Sequence, residues 1–174
     1  LVQPGPRGND GLLYGPQDAG EGGKTLALIN RMIGAIDAAN ADPRALTPRE
    51  ELQRDWHDDM IWWGAGGIGA TYTVDRYIEQ HQGPFRRHLS DRSFNGHLAR
   101  FTEGNYGGFF GWPNLSLTNS NGFMGIAAND TRADMRVVDI YRRDGDKLAE
   151  NWVFIDMLHF LKMQGVDVLA ELSG

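Results

Sequence analysis

The chain has 174 residues, with 41% hydrophobic and 23% charged, so it can build one core of ordinary domain size and wholesale disorder is excluded. A formal charge of −6 leaves no electrostatic footprint for nucleic acid or anionic lipid, and the absence of cysteine removes disulfides, thiolate nucleophiles and cysteine-held zinc. Apolar runs too short for a bilayer and no signal-peptide pattern lead to the expectation of a soluble, cytoplasmic protein with no membrane partner.

Residues 1–23 carry seven Gly and three Pro, a density that predicts an N-terminal arm ahead of one domain over 24–174. A mobile terminus is the expected state of this arm, with docking of its small apolar set, Leu12, Leu13 and Tyr14, on the domain or a partner subunit as the alternative. Leu26, Ile29, Ile33 and Ile36 recur at helical spacing and predict a helix from Lys24 to the Asp42-Pro43 stop. Thr47-Pro48-Arg49-Glu50 is a capping box with Pro at the first helical position, opening a short second helix to about Asp55. Met60 to Trp63 suits a strand. The Gly-rich run Gly64–Gly69 reads as a loop, not a phosphate cradle, because no Lys-Ser or Lys-Thr ends it. Thr73 caps a third helix from Val74 to about Gln82, which Gly83-Pro84 interrupts before Phe85–Leu89 resumes.

Beyond Asp91 the pattern changes to strands, at Gly96–Thr102, Tyr106–Trp112, Met135–Arg142 and Lys147–Asp156, with hairpin turns at Glu103-Gly104-Asn105 and Asp144-Gly145. A final helix spans Met157 to Gln164 and Gly165 ends it. Helices first and antiparallel strands after predict an α+β fold: a cone-shaped curved antiparallel sheet with the N-terminal helices packed on its concave face. The open end of such a cone is the natural ligand pocket.

Trp152-Val153-Phe154-Ile155-Asp156 alternates so that Trp152, Phe154 and Asp156 share a strand face, placing an acid among rings. A poorly hydrated carboxyl has a raised pKa and can exchange a proton near neutrality, although Asp156 also stands where it would cap the following helix. The other face, with Val153 and Ile155, is apolar too, so a symmetric homodimer packing through the outer sheet face is expected. The register at Asp144-Gly145 joins either Met135, Val137 and Asp139 or Arg136, Val138 and Ile140 to the Asp156 face; avoidance of like charges favours the second. His97, in a strand, is a candidate proton-shuttling group, whereas His81 and His88 read as helix-surface residues and His57-Asp58-Asp59 as solvated edge, so no metal site is expected. Trp62, Trp63, Trp112, Trp152, Phe109, Phe110 and Phe123 are numerous enough to wall a pocket for a planar ligand. No serine stands in a nucleophile-elbow setting.

Two stretches resemble the SnoaL-like polyketide cyclases of the nuclear-transport-factor-2-like superfamily. One runs from Tyr141-Arg142-Arg143-Asp144-Gly145-Asp146-Lys147 through Trp152 and Asp156 to Gln164-Gly165, similar to that family's strand–turn–strand, W-x-x-x-D and closing Q-G. The other is Gly122-Phe123-Met124-Gly125-Ile126. The resemblance implies a cone fold, usually dimeric, with no metal or organic cofactor, and gives Asp156 the acid–base role in intramolecular aldol ring closure. Asn119 stands where many members have histidine, and Gly64 where the steroid isomerases of the superfamily place their base, which disfavours isomerisation of that kind.

The expectation is therefore a cofactor-independent enzyme acting on a small apolar or aromatic carbonyl compound. Asp156 and His97 are the catalytic candidates, and Trp63, Trp112, Asn119, Met124, Arg136, Trp152 and Phe154 the substrate-binding ones, with Asn119 or His97 steadying the enolate oxygen. Dehydration or isomerisation in the same pocket is an alternative. So are a non-catalytic binding module and epoxide hydrolysis, the last requiring Arg136 between Asp134 and Asp156.

Overall fold

Burial alternates along the strand Arg132–Asp144 in the middle of the sheet: Ala133, Met135, Val137, Asp139 and Tyr141 are buried, while the residues between them are partly exposed. A strand with one such face needs a cover on that side only, and the fold supplies it with helices. The computed structural model describes residues 15–41, 46–66 and 68–172.

Among the described residues seven strands form one curved, unclosed sheet: β1 (Trp56–Gly64), β2 (Gly69–Tyr72), β3 (Leu89–Phe94), β4 (Ala99–Glu103), β5 (Tyr106–Asn119), β6 (Arg132–Asp144) and β7 (Lys147–Ile155). Their order is β2-β1-β7-β6-β5-β3, with β4 also paired to β5. The sheet is mixed, not wholly antiparallel, because β1 runs parallel to β7. α1 (Ala19–Ala41) packs on β4 and β5 and contributes Leu28, Ile29, Met32 and Ile33 to the core. It sits close because β5 has no side chain at Gly107, where a Cβ would meet Ile29 Cδ1 at 2.8 Å. α2 (Pro48–Gln53), α3 (Val74–Tyr77) and α4 (Gly83–His88) complete the cover near β1 and β3. α5 (Met157–Met163) packs on β6 with Phe160 fully buried, and α6 (Val168–Glu171) follows it.

The fold agrees with the α+β cone expected from the order of elements, and three local differences have physical causes. α1 begins at Ala19, five residues earlier than its apolar spacing indicates, so Gly20, Gly22 and Gly23 are helical. Asp18 Oδ1 accepts from the Glu21 N–H at 2.9 Å, Gly22 lies close against Thr102, and Thr25 Oγ1 donates to the Gly104 carbonyl at 2.7 Å. Arg143 then ties this first turn to the β6–β7 hairpin by donating to Glu21 and, at 2.9 Å, to Thr25 Oγ1. Leu12, Leu13 and Tyr14 of the arm lie outside the described residues.

Gly83-Pro84 does not interrupt the third helix. A π turn over Ile78–Gln82 widens the coil, with the Gly83 N–H reaching the Ile78 carbonyl, and Pro84 falls in the first turn of α4, where its missing N–H costs little. Two strands beyond the expected set, β2 and β3, are short edge pieces. At the β6–β7 hairpin Asp144 pairs with Lys147 around Gly145 (φ 61°), yet a bulge between Leu148 and Glu150 shifts the register so that Ile140 faces Trp152 and Val138 faces Phe154. The bulge is accompanied by a buried ion pair, Arg142 Nε to Glu150 Oε1 at 2.6 Å.

Candidate functional site

The helices do not fill the cone. Between them and the concave face of the sheet lies a cavity of about 250 Å³ with predominantly apolar walls, including Met32, Leu52, Trp56, Trp62, Phe109 and Met135. That is just under the roughly 300–1,000 Å³ of pockets for drug-sized ligands, so it suits a compact one- or two-ring molecule rather than the polycyclic one that aromatic content suggests.

Asp139 is the acid on this wall. It occupies the middle of β6, between Phe109 of β5 and Val153 of β7 in one row across the sheet. The next row holds Tyr141, Asn151 and Trp62, so the carboxyl is surrounded by apolar surface except on one side. There Asn151 Nδ2 donates to its Oδ1 at 2.9 Å, and the Tyr141 hydroxyl donates to it as well. Burial disfavours the charged form more than these two donors favour it, and the pKa is pushed up to about 7. Burial and the nearby carboxyl in turn raise the phenols of Tyr77 and Tyr141, which remain neutral hydroxyls.

Two histidines line the cavity. His97 stacks on Phe109 with centroids 3.7 Å apart and a 14° tilt, and burial together with Arg100 lowers its pKa to about 4. Arg100 Nε donates to its Nδ1 at 3.0 Å, which places the ring proton on Nε2. His81 stacks on Trp62 at 3.8 Å, and burial lowers its pKa to about 4. Both are neutral hydrogen-bonding groups at pH 7. Farther along the wall Glu51 is buried and bound by Arg86 Nη2 at 3.0 and 3.1 Å. Among the described residues no three His, Asp or Glu side chains lie close enough together to hold a metal ion.

Of the residues singled out in the sequence, His97 lines the cavity and most of the others do not. Trp152, Phe154 and Asp156 share a face as expected, and Arg136, Val138 and Ile140 join it, but it is the convex face. Asp156 Oδ1 accepts from the His159 N–H at 3.1 Å as the cap of α5, and Arg136 Nη1 stands 3.4 Å from Oδ2. The Arg136 guanidinium also covers the Trp112 ring at 5.1 Å. Asp134 accepts from Ser116 Oγ at 2.6 Å and likewise lies off the cavity wall, so the three groups needed for epoxide opening do not meet there. Trp63 packs edge-on to Tyr72 outside the cavity. Asn119 is fully buried and structural: its Nδ2 donates to the Ala127 carbonyl at 3.0 Å and its Oδ1 accepts from the Gly122 N–H at 2.9 Å, which pins the loop between β5 and β6. Met124, on that loop, lines a second, more open recess that shares His81, Phe85 and Ile155 with the first.

The cavity face is thus the one that carries Asn151, Val153 and Ile155, and Asp139, His81 and Tyr141 are the functional candidates that an aromatic reading of β7 passes over. One signal for Asp139 is present in the sequence: an acid on an alternating strand face that otherwise carries Ala133, Met135, Val137 and Tyr141.

No family model matches the sequence, and no curated protein matches it. Solved structures do. A candidate SnoaL-like polyketide cyclase from Jannaschia sp. CCS1 is similar over 88% of this chain and 99% of its own, with a TM-score of 0.65 and 13% identity. IdmH, a candidate polyketide cyclase from Streptomyces antibioticus, is similar over 79% and 98%, with a TM-score of 0.59 and 16% identity. AclR, a candidate hydroxylase from Streptomyces galilaeus, is similar over 83% and 98%, with a TM-score of 0.57 and 15% identity. The chain therefore has the fold shared by SnoaL-like cyclases and nuclear-transport-factor-2-like proteins. No helix among the described residues is long and apolar enough to cross a membrane.

The raised pKa of Asp139 links stability to pH. Unfolded, the group ionises near 3.8; folded, it keeps its proton to about 7. Its contribution is therefore fully present below pH 3.8, declines as pH rises toward 7 and is absent above. The two histidines act oppositely, adding stability above their ordinary 6.5 that is lost as pH falls toward 4. In urea unfolding, the stability gain of Asp139→Asn over wild type is expected to grow from near zero at about pH 3.5 to roughly 4 kcal/mol above about pH 7. Parallel stability curves for the two proteins contradict the assignment.

Proposed function

We propose that this protein is an acid–base enzyme for a compact apolar carbonyl compound, with Asp139 as the group that moves the proton. The observation that carries this reading is a buried carboxyl with a pKa of about 7, held in an aromatic-walled cavity beside neutral hydrogen-bond donors. Asp139 as carboxylate accepts a proton from the carbon next to the substrate carbonyl, and the C–H electron pair moves into an enolate whose negative charge rests on oxygen. Nε2–H of His97, neutral at pH 7, is a suitable donor to that oxygen. The enolate carbon then adds to a second carbonyl of the same molecule, an aldol ring closure, or takes the proton back at another position, an isomerisation. Asp139 returns the proton in either case, and the chemistry needs no metal or organic cofactor. The similarity to candidate polyketide cyclases is compatible with the first outcome. This reading moves the acid–base role from Asp156, a helix cap on the convex face, to Asp139.

We also propose that a second copy covers the convex face. Trp63, Phe110, Trp112 and Phe154 stand partly exposed there, Phe154 at 51%, and an apolar sheet face of this kind is suited to a symmetric partner. The partner face is thus opposite to that of Val153 and Ile155, which line the cavity.

Exchange of the methyl protons of acetophenone in D₂O, followed by proton NMR, tests the catalytic reading without knowledge of the natural substrate. Wild type is expected to accelerate exchange, with a rate that rises through a midpoint near pH 7, and Asp139→Asn to lose about 10²–10⁴-fold of it. Asp156→Asn should leave it intact. Equal rates for wild type and Asp139→Asn refute the assignment. For the interface, sedimentation velocity should give a dimer for wild type and a monomer for Phe154→Glu; a monomeric wild type ends that part of the proposal.

A further inference from the structure

Among the described residues, two carboxamide oxygens in the cavity wall are buried without a partner. Gln82, in the π turn, and Asn114, on β5, are 8% and 4% exposed, and neither side chain makes a hydrogen bond to any described group. Both line the same cavity as Asp139. Buried polar groups are almost always satisfied, because one left without a partner forfeits its hydration and receives nothing in return. Two other buried oxygens, of Thr71 and Gln164, also lack partners, but they lie off this cavity, and the Gln164 amide already donates to the Thr131 carbonyl at 3.1 Å. At Gln82 and Asn114 the unpartnered buried atoms are the side-chain oxygens, and these stand where a guest molecule would sit.

Nothing in the packing forces amides at these two places. Gln82 belongs to the widened π turn, a helical irregularity that is frequent at functional sites, and its neighbour His81 is stacked against Trp62, which fixes the local backbone. Asn114 holds its main chain in the sheet region by accepting from the Asn95 N–H at 2.8 Å through its carbonyl, not through its side chain. A methionine or leucine of similar volume would fill either position without leaving a polar group dry. Each amide offers a donor and an acceptor, which matches a hydroxyl or a carbonyl and discriminates against a plain hydrocarbon, since binding the latter leaves both amides unpaired.

Resting on the reading of this cavity as the substrate site, we infer that Gln82 and Asn114 are specificity-determining residues that bind two oxygen functions of the substrate, which is therefore an oxygenated ring compound with hydroxyl or carbonyl groups beyond the one that reacts. The ligand class is a small polyoxygenated aromatic or alicyclic ketone, and the apolar walls accept its ring.

The test compares 2,4-dihydroxyacetophenone with ethylbenzene, two rings of similar size, by NMR titration of ¹⁵N-labelled protein. In wild type the dihydroxy ketone should bind at least about tenfold more tightly, and the side-chain NH₂ signals of Gln82 and Asn114 should move with it and not with ethylbenzene. In Gln82→Met and Asn114→Leu the preference should shrink, while thermal unfolding is unchanged or occurs at a higher temperature, because an unsatisfied buried amide has been removed. A merely structural amide would instead give a less stable variant with the preference intact. Equal affinity for the two probes, or NH₂ signals that ignore the dihydroxy ketone, overturns the inference and leaves the amides to bound water. Because the NH₂ signals are read in wild type, they decide the matter even if a variant does not fold. Repeating the titration in Asp139→Asn separates the two readings: binding preference can survive there with proton exchange abolished, or vanish in wild type with exchange intact.

Discussion

Placing a carboxyl on the inward face of the central strand is costly, and the organisation of the cavity follows from how that cost is only partly offset. Asp139 loses most of its hydration among Phe109, Val153 and the rings around them. Asn151 and Tyr141 return two hydrogen bonds, enough to keep the side chain in place and too few to restore an ordinary acid. The result is a group poised to be charged or neutral at nearly equal free energy around neutral pH. A more generous set of donors would make it a permanent anion with little basicity. A drier site would keep it protonated.

The surrounding architecture makes this balance possible. A curved sheet with helices on one side encloses space that neither layer fills, and α1 approaches β5 closely at Gly107 without sealing it. The bulge near Ala149, with the Arg142–Glu150 pair beside it, sets which residues of β6 and β7 are neighbours across the sheet. A slip of one residue between these strands would carry Asp139 away from Asn151's reach while leaving each strand's own alternation unchanged. The aromatic side chains on the convex face and those on the concave face differ in setting: the first form a partly exposed apolar surface, and the second wall the cavity and desolvate its acid.

Local chemistry is legible in the residues. The capping box at Thr47–Glu50 is formed, Thr73 and Asp156 cap their helices, and Gly145 turns the last hairpin, because each depends on atoms only a few residues apart. That Arg136, Val138 and Ile140 share a face with Trp152 and Phe154 is legible too, though a two-residue turn over Gly145-Asp146 followed by a bulge produces it rather than a three-residue turn. Which face of that ladder points inward is not legible. Both faces are apolar, and the richer in rings is the outer one, so the criterion of aromatic company selects Trp152, Phe154 and Asp156 instead of Asn151, Val153 and Asp139. His81 escapes for a related reason: a helix-surface position becomes a cavity wall once the π turn and the stack on Trp62 set its direction. The fold of the neighbours agrees with the resemblance seen in Tyr141–Asp156 and Gly122–Ile126, while the proposed chemical role falls on Asp139, outside those motifs.

The central claim is a protonation state, and carbon NMR reads it directly. In protein with ¹³C-labelled aspartate, the Asp139 carboxyl resonance, identified by its loss in Asp139→Asn, should titrate with a midpoint near pH 7. A midpoint near the ordinary 3.8 would mean that the carboxyl is an unremarkable anion, and the account of this cavity as a proton-transfer site would be wrong.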